Sequence, residues 1–86
     1  MEYIVVAFRS RTHTVRFAEY LKRLGVYCEI VNTPKEAGVG CGLSVKTKVA
    51  NTETIKSAVR YANFSSYAGA FLVRVDKHGK TVRNAF

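Results

Sequence analysis

Cys41 stands in the run Gly38-Val39-Gly40-Cys41-Gly42, with almost no bulky side chain beside it. A structural cysteine usually sits among apolar neighbours, where it acts as a small hydrophobe. Glycine admits positive φ and lets another molecule approach closely. A thiol in such a run is open to reagents, and the backbone N–H groups around it favour the thiolate. The chemistry on offer is exchange at sulfur, which needs a thiolate, access and a leaving group. Lys35 and Lys46 lie near in sequence and bring positive charge to stabilise the anion. Arg9, Arg11 and His13 precede a helix whose N-terminus favours anions. His13 reads equally well as a helix-cap residue and as a member of the site. The second cysteine, Cys28, alternates with Tyr27 and Glu29 and shares a strand face with Val26 and Ile30. It reads as a core residue.

Other chemistries fit less well. Gly38-x-Gly40-x-Gly42 has glycine spacing like a dinucleotide fingerprint, but that fingerprint sits between a strand and a helix. Here a strand follows, and the lysine of a phosphate-binding loop is missing from its place. Cys28, Cys41, His13 and His78 are the nitrogen and sulfur donors available for a metal, and no pair has the close spacing of a structural zinc site. No metal or cofactor is expected. Only six acidic residues are present, and none sits with an obvious base, which argues against a hydrolase.

The elements that position Cys41 follow from periodicity. Residues 3–8 form a continuous apolar run of β-branched and aromatic residues, as in a central strand. Ser10 or Thr12 then caps a helix whose apolar stripe is Phe17, Ala18, Leu21 and Leu24, and Gly25 ends it. A second strand is predicted over 26–31, a loop over 32–41 and a third strand over 42–47. Asn51 or Thr52 caps a second helix with Ile55, Ala58, Val59 and Ala62 inward. A loop at 63–67 and a strand at 71–75 follow. Asp76-Lys77-His78-Gly79 is a turn, from which Lys80–Arg83 folds back as an extra C-terminal edge strand. The order β-α-β-β-α-β predicts a ferredoxin-like α+β sandwich over a single domain, 1–86.

Composition narrows the class. With 48% hydrophobic residues and one proline in 86, the chain is globular and not a disordered tail. No apolar run is long enough to span a bilayer. The start has no basic leader or small-residue cleavage site, and two free thiols fit a reducing, cytoplasmic setting. The net charge of +8 is spread along the chain, mostly as a solvated face, and attracts acidic partners or nucleic acid. The alternative to a thiol carrier is a small basic binding module for RNA or an acidic protein, without covalent chemistry. Tyr3 and Phe71, the latter in Gly69-Ala70-Phe71-Leu72-Val73, would then stack bases. A chain this small gains stability from self-association, and sheet edges at 71–75 and 80–83, with Phe86, predict a homodimer.

Ser10-Arg11-Thr12-His13-Thr14, Thr33-Pro34-Lys35-Glu36 and Cys41-Gly42-Leu43 together resemble the selenium/sulfur carrier-like family, over roughly residues 3–75. The resemblance implies a cysteine that carries sulfur or selenium as a persulfide or selenium adduct, and Cys41 is the matching position. It implies donor and acceptor proteins, with any turnover of a sulfurtransferase-like kind. His13, Thr33 and Pro34 match other recurrent residues of the family. Lys35 stands where arginine is commoner, and Gly38 and Gly40 stand where small hydroxyl residues are commoner. The expected site is therefore Cys41 as nucleophile, with His13, Thr33, Pro34, Lys35, Gly40 and Gly42 binding or stabilising.

Overall fold

The computed structural model describes residues 1–40 and 42–86. Five strands and two helices follow one another as β1 (Glu2–Phe8), α1 (Arg11–Arg23), β2 (Cys28–Asn32), β3 (Leu43–Thr47), α2 (Thr52–Ala62), β4 (Tyr67–Asp76) and β5 (Gly79–Asn84). The strands form one antiparallel sheet in the order β2-β3-β1-β4-β5. The result is a small α+β structure.

β1 lies in the middle of this sheet and is buried on both faces, which is why its sequence is an unbroken apolar run. Ile4, Val6 and Phe8 pack with Phe17, Ala18 and Leu21 of α1 and Ile55 and Ala58 of α2. Burying each large side chain here contributes about 1.5–3 kcal/mol. Val5 and Ala7 point to the other face with Phe71 and Val73. No helix covers that second face. The connection between β2 and β3 folds over it instead, with a 3-10 turn at Lys35–Ala37, and Ala37 and Val39 pack on the second cluster. The turn reaches as far as β5. Phe71 is only 7% exposed and cannot offer a ring to a base, and Tyr3 is half-buried beneath Lys46. The stacking platform expected of an RNA module is filled.

Helix α1 opens and closes as its sequence requires. Ser10, not Thr12, is the N-cap, and its side chain accepts from the His13 amide. At the other end the Gly25 amide donates to Lys22 and the Val26 amide to Leu21, with Gly25 at φ +79°. This pair of bonds is a Schellman closure, and it holds Val26 to the helix. It explains why β2 begins at Cys28 and not at 26. Leu24, expected on the inward stripe, becomes the C-cap residue and is exposed. Asn51 precedes α2 and Thr52 begins it.

Three further expectations change. Ile30 shares a face with Cys28, but it sits on the edge strand beyond the cover of the helices and is 43% exposed. β4 begins at Tyr67, four residues before the strand expected from periodicity. Its first half, Tyr67-Ala68-Gly69-Ala70, is short of β-branched residues, and a bulge between Ala7 and Phe8 breaks the alternation. Gly69 is required there, since at φ +145° a Cβ would lie 2.7 Å from the Phe71 ring. Finally, 71–75 is not an edge, because β5 covers β4 over Phe71–Asp76. The open edges are β2 and β5.

Candidate functional site

Cys41, the expected nucleophile, lies outside the described residues. Its peptide neighbour Gly42 is described and fixes where the loop rejoins the sheet. The Thr33 amide donates to the Gly42 carbonyl at 3.1 Å, closing the loop directly beyond the Asn32–Leu43 pair of β2 and β3. The Thr33 hydroxyl shares a 2.7 Å hydrogen bond with Ser44, which is fully buried. Pro34 follows in an extended conformation and leads into the 3-10 turn, which suits its fixed φ. The Pro34 carbonyl accepts from Ala37, and the Lys35 carbonyl from Gly38. Gly38 and Gly40 adopt positive φ, so both use the freedom that only glycine has without strain. Lys35 is exposed on the turn.

Gly42 and Leu43 line a cavity of about 140 Å³ together with Phe8, Arg9, Arg11 and Thr14. The β1–α1 connection and the first turn of α1 therefore meet the end of the glycine-rich loop. Phe8 forms the inner wall and anchors it through ring contacts with Phe17, Phe64 and Tyr67. Thr14 is fully buried, and its hydroxyl donates to the Ser10 carbonyl. The first turn of α1 holds no acidic side chain. Among the described residues no carboxylate pairs with Arg9 or Arg11, whereas Arg74 is paired with Glu2 at 2.7 Å. The cavity is thus cationic, at the helix end where backbone dipoles also favour an anion.

His13 is placed beside this cavity but is engaged elsewhere. Its ring stacks on Phe64, with centroids 4.5 Å apart, and its Nδ1 shares a hydrogen bond with the Ser66 hydroxyl. The Ser66 carbonyl accepts from the Arg9 amide at 2.8 Å. Ser66 therefore ties the α2–β4 connection to both Arg9 and His13. Lys46, expected near the thiol, points elsewhere: its ammonium lies 4.4 Å from the centre of the Tyr3 ring. It lines a separate recess with Met1, Tyr27 and Lys48.

The structure brings Thr33 and Gly42 together and joins Gly42 to Arg9, Arg11 and Thr14. It leaves Lys35 on the exposed turn and gives His13 other partners. Ser44, Phe64 and Ser66 were not expected at the site. Their contacts span sequence separations that no local pattern reveals. Thr14 did carry a signal, as a hydroxyl residue at helical spacing from Phe17, Ala18 and Leu21.

Cys28 is 5% exposed and its thiol donates weakly to the Ala18 carbonyl. Burial pushes its pKa up, partly opposed by the Lys22 charge, so it stays a neutral thiol. Burial likewise raises the pKa of Tyr67. No group of three or more metal-ligating side chains occurs among the described residues. No helix among them is long and apolar enough to cross a membrane.

A sequence-family profile described as "Putative Se/S carrier protein-like" matches residues 2–67. No curated protein and no solved structure gives a significant match.

Proposed function

The chain belongs to the Se/S carrier protein-like family, and we propose that it carries sulfur or selenium on Cys41 as a persulfide or a selenium adduct. The observation that carries this reading is the cationic cavity lined by Arg9, Arg11 and Gly42, the residue joined to Cys41. A thiolate and a persulfide are both anions, and nearby guanidinium groups favour each over its protonated form. The buried Cys28 is reserved for the core. Transfer proceeds by exchange at sulfur, so one protein donates the group and another accepts it. Acidic surfaces on those partners suit a chain of net charge +8.

His13 holds the β1–α1 connection in place through Ser66 and Phe64, and Thr33 and Pro34 shape the loop. Lys35, on the exposed turn, meets the partner. Gly40 and Gly42 keep the approach to the thiol free of side chains. The strand order β4-β1-β3-β2, with both helices on one face, supports the ferredoxin-like reading, with β5 as an added edge strand over one domain, 1–86. The carrier acts in the reducing cytoplasm, where its thiols stay free.

We also propose a homodimer that forms through the β2 edge. Tyr27 and Ile30 are exposed there, and the charges of β5, Lys80 and Arg83, would repel in a β5 pairing.

Competitive alkylation at neutral pH tests the thiol assignment. Cys41 is expected to react at least tenfold faster than Cys28 in the native protein. Equal slow labelling of both would remove the case for a carrier thiol.

A further inference from the structure

We infer that Arg9 and Arg11 form an oxyanion subsite, and that the carrier is loaded by a small donor of the thiosulfate class. The inference rests on the carrier reading above and names the donor for the same site. Arg9 and Arg11 both line the cavity beside Gly42, and no carboxylate among the described residues neutralises either of them. Guanidinium groups present paired N–H donors that match sulfonate, phosphate and carboxylate oxygens.

Both arginines stand on backbone that is already fixed. The Arg9 amide is bonded to Ser66, and Arg11 opens a helix capped by Ser10. The cavity of about 140 Å³ holds roughly five waters at about 30 Å³ each, which suits an ion of a few heavy atoms. Phe8 and Leu43 close its apolar side, so charged oxygens settle toward the arginines and away from the rings. A bare persulfide terminus has no oxygens for two guanidinium groups to grip. A sulfonate does.

The loading step balances without an outside oxidant or reductant. The Cys41 thiolate attacks the terminal sulfur of thiosulfate and a new sulfur–sulfur bond forms. The bond to the sulfonate sulfur breaks, and its electron pair leaves with sulfite. Cysteine is left as the persulfide anion, and the total charge is unchanged. Arg9 and Arg11 hold the sulfonate oxygens and stabilise sulfite as it departs.

Two measurements test this. In Cys41→Ser, thiosulfate titration followed by amide NMR is expected to shift Gly42 and the residues from Arg9 to Thr14 in a saturable way. Adding Arg9→Gln and Arg11→Gln should weaken that binding at least tenfold. In the protein with Cys41 intact, mass analysis follows sulfur gain from thiosulfate and from inorganic polysulfide, which has no oxygens. Both donors should load Cys41, and the double arginine variant should lose thiosulfate loading at least tenfold while keeping polysulfide loading. Polysulfide loading with no binding or loading by thiosulfate overturns the donor assignment alone, as does equal loss from both donors in the arginine variant. Failure of both donors to modify Cys41 overturns the carrier reading itself.

Discussion

The Thr33 amide donates to the Gly42 carbonyl at 3.1 Å, tying the first residue after β2 to the last before β3. The Thr33 hydroxyl adds a second tie to Ser44, a residue with no exposed surface. The glycine-rich loop is therefore held at its base and, through Ala37 and Val39, along the sheet face it crosses. Its mouth stays against Arg9 and Arg11.

Thr33→Val should leave the Ser44 hydroxyl buried without its partner, at a cost of about 1–3 kcal/mol in stability. Removing both hydroxyls, in Thr33→Val with Ser44→Ala, should cost less than the two single changes added together. Urea unfolding of the four proteins measures the coupling. Strict additivity would show that the bond contributes nothing.

His13 and Ser66 make a second coupled pair, between α1 and the β4 entry. Each of His13→Ala and Ser66→Ala should destabilise the protein, and a double-mutant cycle should give a coupling of about 0.5–3 kcal/mol. The rate of Cys41 alkylation should change less than threefold in Ser66→Ala, because Arg9 and Arg11 carry the charge. A tenfold fall would make His13 part of the thiol chemistry.

How much of this was readable in the residues varies with the range of the interaction. The α1 closure is local, and Gly25 announced it. The Cys28 assignment followed from alternation. Ile30 obeyed the same alternation yet stayed exposed, because the limit of helix cover is set by where α1 and α2 cross the sheet. The meeting of Arg9, Arg11 and Gly42 was not readable. It depends on which strand lies beside β1, and sequence spacing leaves that open. Ser66 was equally hidden, since its partners Arg9 and His13 lie more than fifty residues away in sequence. The start of β4 was obscured by Ala68, Gly69 and Ala70, small residues chosen by the close approach of the Phe71 ring.

Alkaline pH should weaken the fold in a definite direction. Burial raises the pKa of Cys28 above 9.0 and of Tyr67 above 10.0, so both favour their neutral forms in the folded state. Their stabilising effect is complete below the unfolded values and is lost as pH rises through the folded ones. Unfolding free energy should therefore decline above about pH 9, and Cys28→Ala should reduce the slope. A slope unchanged in that variant would mean that Cys28 does not titrate differently on unfolding.

Self-association is read by sedimentation at micromolar concentration. The β2 edge, with Tyr27 65% and Ile30 43% exposed, should give a dimer that Ile30→Lys converts to a monomer. A wild-type chain that sediments as a monomer would remove the dimer from the account.

The central claim concerns the covalent state of one atom, the sulfur of Cys41. Intact-mass analysis of protein purified without reductant, followed by peptide mapping, addresses it directly. The account predicts a reducible gain of one sulfur or one selenium, located on Cys41 and lost in Cys41→Ser. An unmodified Cys41 after exposure to a persulfide donor, or a gain that maps equally to Cys28, would contradict it.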